Sequence, residues 1–155
     1  ENIKNGLSEY IKNPYQVEEI DKNYKTLEYN ISKIDADLTE SISSAKYKTI
    51  VVDNDLFNYL NKYGLKVISL EDNDNLSQSK IEEVKKLISS NNIKYIYTTK
   101  DTSNSYVNNL VKQTGVELVP INTMYSIDGG ITNTNDDYLT IMKSNINLIE
   151  KELYK

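Results

Sequence analysis

Lys48-Thr49-Ile50-Val51-Val52-Asp53-Asn54-Asp55-Leu56-Phe57-Asn58-Tyr59 changes period half-way along, and the change decides the fold class. Thr49 to Val52 is an unbroken, largely β-branched run of strand length, the pattern of a strand covered on both faces. Asp53-Asn54-Asp55 interrupts it. Leu56, Phe57, Tyr59, Leu60 and Tyr63 then recur at helical spacing until Gly64, a residue suited to the left-handed stop of a helix. A strand, a polar turn and a helix make the first half of a βαβ unit, and Lys66 to Leu70 reads as its second strand.

The same alternation continues toward the C-terminus. A polar loop, Glu71 to Asn75, leads to a helix near Ser77 with Ile81, Val84, Leu87 and Ile88 on one face. Ile93 to Thr98 is a third strand, and Thr102 or Ser103 is placed to cap a helix with core face Tyr106, Leu110 and Val111. Gly115 ends that helix, Val116 to Ile121 is the fourth strand, and a last helix from near Asp136 carries Tyr138, Met142, Ile146, Ile149 and Leu153. On the N-terminal side, Val17, Ile20, Tyr24, Leu27, Ile31, Ile34, Leu38 and Ile42 form a one-faced stripe over about seven turns. Asn13-Pro14 separates it from an earlier helical segment holding Ile3, Leu7, Tyr10 and Ile11, since proline suits the first turn of a new helix. The expected fold is α/β: an open, mainly parallel four-stranded sheet with helices on both faces, preceded by a long helix. Ligands of such sheets sit beyond the carboxyl ends of the strands, which directs attention to loops 53–55, 71–76, 98–103 and 121–130.

Composition narrows the chemistry. The chain has 155 residues and a net charge of −5, with neither cysteine nor histidine. Interspersed lysines and acids and a negative balance argue against a nucleic-acid footprint. Without Cys and His there is no thiolate site, no imidazole ligand and no ordinary general base. No run approaches the roughly 20 apolar residues of a membrane span. The chain opens on Glu1 inside a helical pattern, as expected of a processed or truncated product.

Few clusters are left. Asp53 and Asp55 flank the end of the first strand, where a Mg²⁺ site or phospho-acceptor aspartate belongs in a receiver-like domain; the competing reading is that Asp53 caps the next helix. Lys100 is the one lysine suited to join such a site. Glu71, Asp72 and Asp74 form an acidic loop without the spacing of a Ca²⁺ hand, so it reads as solvated. Gly129-Gly130 lies after the fourth strand and reads as a turn. The thirteen tyrosines are taken as core and compositional background.

Taken in order, these pieces resemble a family, the solute-binding lipoproteins of Zn²⁺/Mn²⁺ ABC importers, also called adhesion lipoproteins. Asn13-Pro14 with Ile20-Asp21-Lys22-Asn23-Tyr24 is similar to the family's Asp-Pro before a Tyr-x-x-Asn helix. Lys48 to Tyr59 with Lys62-Tyr63-Gly64-Leu65 looks like its strand, ligand residue, Phe-x-Tyr helix and Tyr-Gly turn. Asp137-Tyr138-Leu139, Met142 and Asn145 look like its closing helix. The resemblance implies two α/β lobes joined by a rigid helix with metal between them. Residues 1–12 would then end the interlobe helix, and 14–155 would form the C-terminal lobe. It further implies an N-terminal lobe with two histidine ligands, an ABC permease as partner, and an extracytoplasmic place on the membrane through a lipid anchor. The implied role is binding, not catalysis.

By the same resemblance this lobe would supply a His or Glu after its first strand and an Asp after its fourth. Those positions hold Asn54 and Asn122. An amide oxygen carries no net charge, whereas a carboxylate near a divalent cation contributes on the order of 8 kcal/mol at 4 Å and an effective dielectric of 20. The expectation is a metal-receptor lobe whose cleft does not hold Zn²⁺ or Mn²⁺ tightly, with no cofactor of its own. Two rivals stay open: a Mg²⁺-dependent phosphoryl-transfer or receiver-like domain using Asp53 and Asp55, and a purely structural domain of a larger protein.

Overall fold

The computed structural model describes residues 1–74, 76–99, 104–124 and 137–155. The chain forms two compact units, Glu1–Asp37 and Leu38–Lys155. The first holds α1 (Asn2–Tyr10) and most of α2 (Pro14–Ser44). The Asn13 side chain accepts the Tyr15 N–H at 3.0 Å, so Asn13 caps α2 and Pro14 occupies its first turn. Lys4 bonds Asp21 at 2.7 Å, and Lys25 bonds the other oxygen of the same carboxylate. The expected stripe along α2 is only partly covered: Ile34, Leu38 and Ile42 are buried, whereas Leu27 and Ile31 are exposed.

The second unit is built on four parallel strands, β1 (Thr49–Val52), β2 (Lys66–Ser69), β3 (Tyr95–Thr99) and β4 (Glu117–Ile121), in the order β2-β1-β3-β4. The chain moves outward from β1 to β2, then returns to β3 on the far side of β1, so strand order reverses between β1 and β3. Helices α3 (Gln78–Ser89) and α4 (Ser105–Thr114) cover one face, where Val51, Ile68, Ile96, Ile81, Val84, Val107 and Leu110 share a core. Side chains alternate along a strand, so Ile50, Val52 and Tyr97 point to the other face. There the buried Tyr97 hydroxyl donates to the Leu148 carbonyl at 2.9 Å, fastening α5 (Tyr138–Leu153) across the sheet. The end of α2 joins α5 through a Ser41–Glu150 hydrogen bond and through the Tyr154 hydroxyl on the Ser41 carbonyl.

Local departures from the expected elements have local causes. The helix after β1, η1 (Asp55–Tyr63), is a 3₁₀ helix rather than an α-helix. With three residues per turn, positions three apart eclipse. The polar set Asp55, Asn58, Asn61 repeats at that interval: Asn58 Nδ2 donates to Asp55, and Asn61 Nδ2 to the Asn58 carbonyl. Phe57 and Leu60 repeat at the same interval and are buried. Gly64 closes η1 at φ 93°, the left-handed conformation expected of it. Thr102 and Ser103, the expected caps of α4, lie outside the described residues. The N-cap of α4 is Asn104, its Oδ1 accepting from the Tyr106 and Val107 N–H groups. The frame of α4 therefore buries Val107 with Leu110, while Tyr106 is exposed. The tyrosines are not core residues either: among the described ones only Tyr97 is buried, in keeping with a hydroxyl that needs water or a fixed acceptor.

At the amino-terminal edge of the sheet, Glu152 of α5 is fully buried. Its carboxylate accepts the Lys94 and Tyr95 N–H groups, each at 3.0 Å, and pairs with Lys155. Lys155 in turn donates to the Asn92 carbonyl and lies over the Tyr47 ring. Truncating Glu152 would leave two strand N–H groups and an ammonium buried without their anion. Glu152→Ala is expected to lower the unfolding free energy by about 3–5 kcal/mol, with Glu152→Gln intermediate because an amide still accepts. Urea unfolding followed by tyrosine fluorescence checks this.

Candidate functional site

The carboxyl edge of the sheet is organised around the reversal point. Asp53, the first residue beyond β1, is only 4% exposed. Its carboxylate turns toward β3 and accepts the Thr99 N–H at 3.2 Å, with the Thr99 hydroxyl at 3.4 Å. Asn104 bridges the same point: its Nδ2 donates to the Leu70 carbonyl at 2.7 Å and the Asp53 carbonyl at 3.3 Å, while its Oδ1 caps α4. One side chain thus ties the ends of β1 and β2 to the start of α4.

Asp55 turns the other way, toward the loop after β2. Its N–H donates to Glu71 at 2.7 Å, and its carboxylate accepts from Asn73 at 2.9 Å and Asn58 at 3.2 Å. Hydrogen bonding by the Ser69 hydroxyl above all, then by Asn73 and Asn58, holds the Asp55 carboxyl below the usual carboxylate range. Asp53 and Asp55 therefore serve different strands and do not form a paired-acid site. Asp72 and Asp74 are exposed, and among the described residues no three of His, Cys, Asp and Glu gather as metal ligands. Lys100 and Gly129-Gly130 lie outside the described residues.

Asn54, rather than Asp53, caps the helix after β1: its Oδ1 accepts the Leu56 N–H at 2.8 Å. Asn122 follows β4 and does the same for its own loop, its Oδ1 accepting the Met124 N–H at 2.9 Å. Met124 has φ 55°, a left-handed conformation uncommon for a residue with a long side chain. Both asparagines stand at the carboxyl edge, and β3 lies between their strands. Two strand spacings separate them, about 10 Å across the sheet. Behind Asn122, the buried Asn145 of α5 donates its Nδ2 to the Asn122 carbonyl at 2.8 Å and accepts the Asn122 N–H at 3.2 Å.

This arrangement of parallel strands and edge loops coincides with a known family. The family model for the periplasmic component A of a zinc-uptake complex matches residues 1–152. The chain belongs to that family. Among curated relatives, the zinc-binding lipoprotein AdcA of Streptococcus pneumoniae is 28% identical over 156 residues, covering 97% of this chain and 30% of its own length. The zinc-binding protein AdcA of Streptococcus pyogenes is 28% identical over 150 residues, covering 94% and 29%. The chain thus spans about a third of the length of these relatives. Among solved structures, the Zn(II)-bound ZnuA-like domain of S. pneumoniae AdcA superposes with a TM-score of 0.70 at 26% identity, over 99% of this chain and 58% of that one. The metal-dependent lipoprotein YcdH of Bacillus subtilis superposes with a TM-score of 0.74 at 22% identity, over 99% and 59%, and so shares the fold.

Asn104 and the Asn145 clamp carry no periodic signal in the sequence. Asn104 stands just ahead of an apolar helical run, where capping residues concentrate, and that is the one cue it offers. Because the Asp55 carboxyl is depressed in the fold, its contribution to stability is present above the ordinary carboxylate pKa and is lost as pH falls through the depressed value. Asp55→Asn removes that titration. The stability gap between wild type and the variant is expected to narrow as pH falls from about 5 through the depressed value, measured as urea midpoints; a gap that stays constant would contradict the assignment.

Proposed function

We propose that this chain is the C-terminal lobe of an extracytoplasmic solute-binding component of a metal ABC importer, with residues 1–12 ending the interlobe helix and 14–155 forming the lobe. A lipid anchor outside this lobe would hold the protein at the membrane, and an ABC permease would receive the cargo. The lobe is a binding module without a catalytic role, and its two ligand positions, Asn54 and Asn122, no longer hold a transition metal tightly.

One observation carries this reading: both asparagine oxygens are engaged by an N–H two residues further along their own loops. An amide in that geometry does the work of a cap, which needs an acceptor but no charge. A tight Zn²⁺ site needs imidazole, thiolate or carboxylate donors, whose basicity and charge offset the loss of the ion's hydration. The second lone pair of each amide oxygen remains a weak donor suited to harder cations. Cargo would therefore depend on donors from an N-terminal lobe, with this lobe closing the cleft.

Restoring charged or imidazole donors tests the reading. Asn54→His combined with Asn122→Asp is expected to tighten Zn²⁺ binding by about a hundredfold or more, because it reinstates one anion and one imidazole. Competition against a chromophoric chelator measures both proteins. Stoichiometric tight Zn²⁺ on the unaltered chain, abolished by Asn54→Ala and by Asn122→Ala, would overturn the proposal.

A further inference from the structure

The strongest unassigned feature is the amide of Asn145. It is 7% exposed, sits in the middle of α5, and directs both of its polar atoms at one residue. Nδ2 donates to the Asn122 carbonyl at 2.8 Å and Oδ1 accepts the Asn122 N–H at 3.2 Å. An amide that meets the N–H and C=O of a single residue offers what an opposed strand residue would offer. The two bonded groups flank the Cα of residue 122, so rotation about either φ or ψ there breaks one of the bonds. The clamp grips backbone only; the exposed Asn122 side chain takes no part in it and bonds forward to Met124.

We infer that Asn145 is a positioning residue: it sets the direction in which the side chain at position 122 leaves the end of β4, whatever that side chain is. This rests on the reading of position 122 as a ligand position. The scaffold for a donor at the end of β4 then persists in this lobe although the donor itself is an amide.

Hydrogen exchange on the 155-residue chain tests it, with the Asn122 amide compared against that of Val119 in the middle of β4. Asn145→Ala is expected to lower the protection of Asn122 on the order of tenfold while leaving Val119 unchanged. Asn145→Asp is the sharper probe, because it keeps the shape but sets a carboxylate oxygen against the Asn122 carbonyl. That repulsion raises the pKa of the introduced carboxyl above its unfolded value. The protonated acid can again donate to the carbonyl and accept from the N–H, so protection of Asn122 should return as pH falls through the raised pKa. A role in packing alone predicts that the buried carboxylate lowers, and its protonation restores, the protection of Asn122 and Val119 together. Protection in Asn145→Asp that does not vary with pH, or that moves in step with Val119, would overturn the inference. In the Asn54→His, Asn122→Asp protein, adding Asn145→Ala should weaken Zn²⁺ binding on the order of tenfold. If that protein takes no Zn²⁺ at all, the reading of the ligand positions fails, while the exchange measurements still decide the role of Asn145.

Discussion

The constraint on which the sheet unit depends is the satisfaction of backbone groups where a parallel sheet stops. At the carboxyl edge the strand ladder ends, yet the last carbonyls and the first helical N–H groups remain partly buried and need partners. Asn104 answers most of this need with one side chain. Its amine end holds the carbonyls of Asp53 and Leu70, and its oxygen holds the first N–H groups of α4. An amide suits this task because it offers donors and an acceptor without a charge to desolvate. Asp53, the one buried carboxylate at this edge among the described residues, accepts from the N–H and hydroxyl of Thr99.

The same logic accounts for the two asparagines that follow β1 and β4. Asn54 and Asn122 each stand two residues ahead of an N–H that needs an acceptor, and each supplies it. A cap needs an acceptor but no charge, and an amide oxygen supplies one without an anion to desolvate. The asparagines thus close these loops without charging the edge.

Much of the fold was legible in the sequence because it follows from period. The run Thr49 to Val52, the Gly64 and Gly115 stops, and the stripes of α3 and α5 report burial directly. The 3₁₀ character of η1 was also written there, in the three-residue repeat of Asp55, Asn58 and Asn61, although a helical reading of Leu56, Phe57 and Tyr59 hides it. The cap of α4 falls on Asn104 and not on the expected Thr102 or Ser103 because Thr, Ser and Asn are all competent caps in sequence, and the reach of Asn104 to two strand ends is a tertiary contact. The tyrosines misled for another reason: their rings count as apolar in any periodic pattern, whereas their hydroxyls keep most of them at the surface. The positions of Asn54 and Asn122 at two strand ends could be read from motif order. The contacts that hold them come from residues 23 or more positions away, or from a backbone turn, and neither leaves a local pattern.

Helix α5 is what links this edge to the rest of the unit. Asn145, the carbonyls of Leu148 and Ile149, and Glu152 recur at spacings of three and four, so they lie along one face of the helix. Asn145 holds the end of β4, the Tyr97 hydroxyl reaches the two carbonyls from the middle of β3, and Glu152 holds the N–H groups where β3 begins. The sheet is thus fastened to one helix at three levels, and among the described residues no buried side-chain nitrogen or oxygen lacks a partner. None of these fastenings uses the side chain of Asn54 or Asn122. The side chains that fasten α5 to the sheet and the two asparagines that close the strand-end loops are consequently separate sets. Because the Asn145 clamp grips only the backbone of residue 122, and the other two fastenings lie further down the sheet, the side chains at positions 54 and 122 can change without removing any of the three.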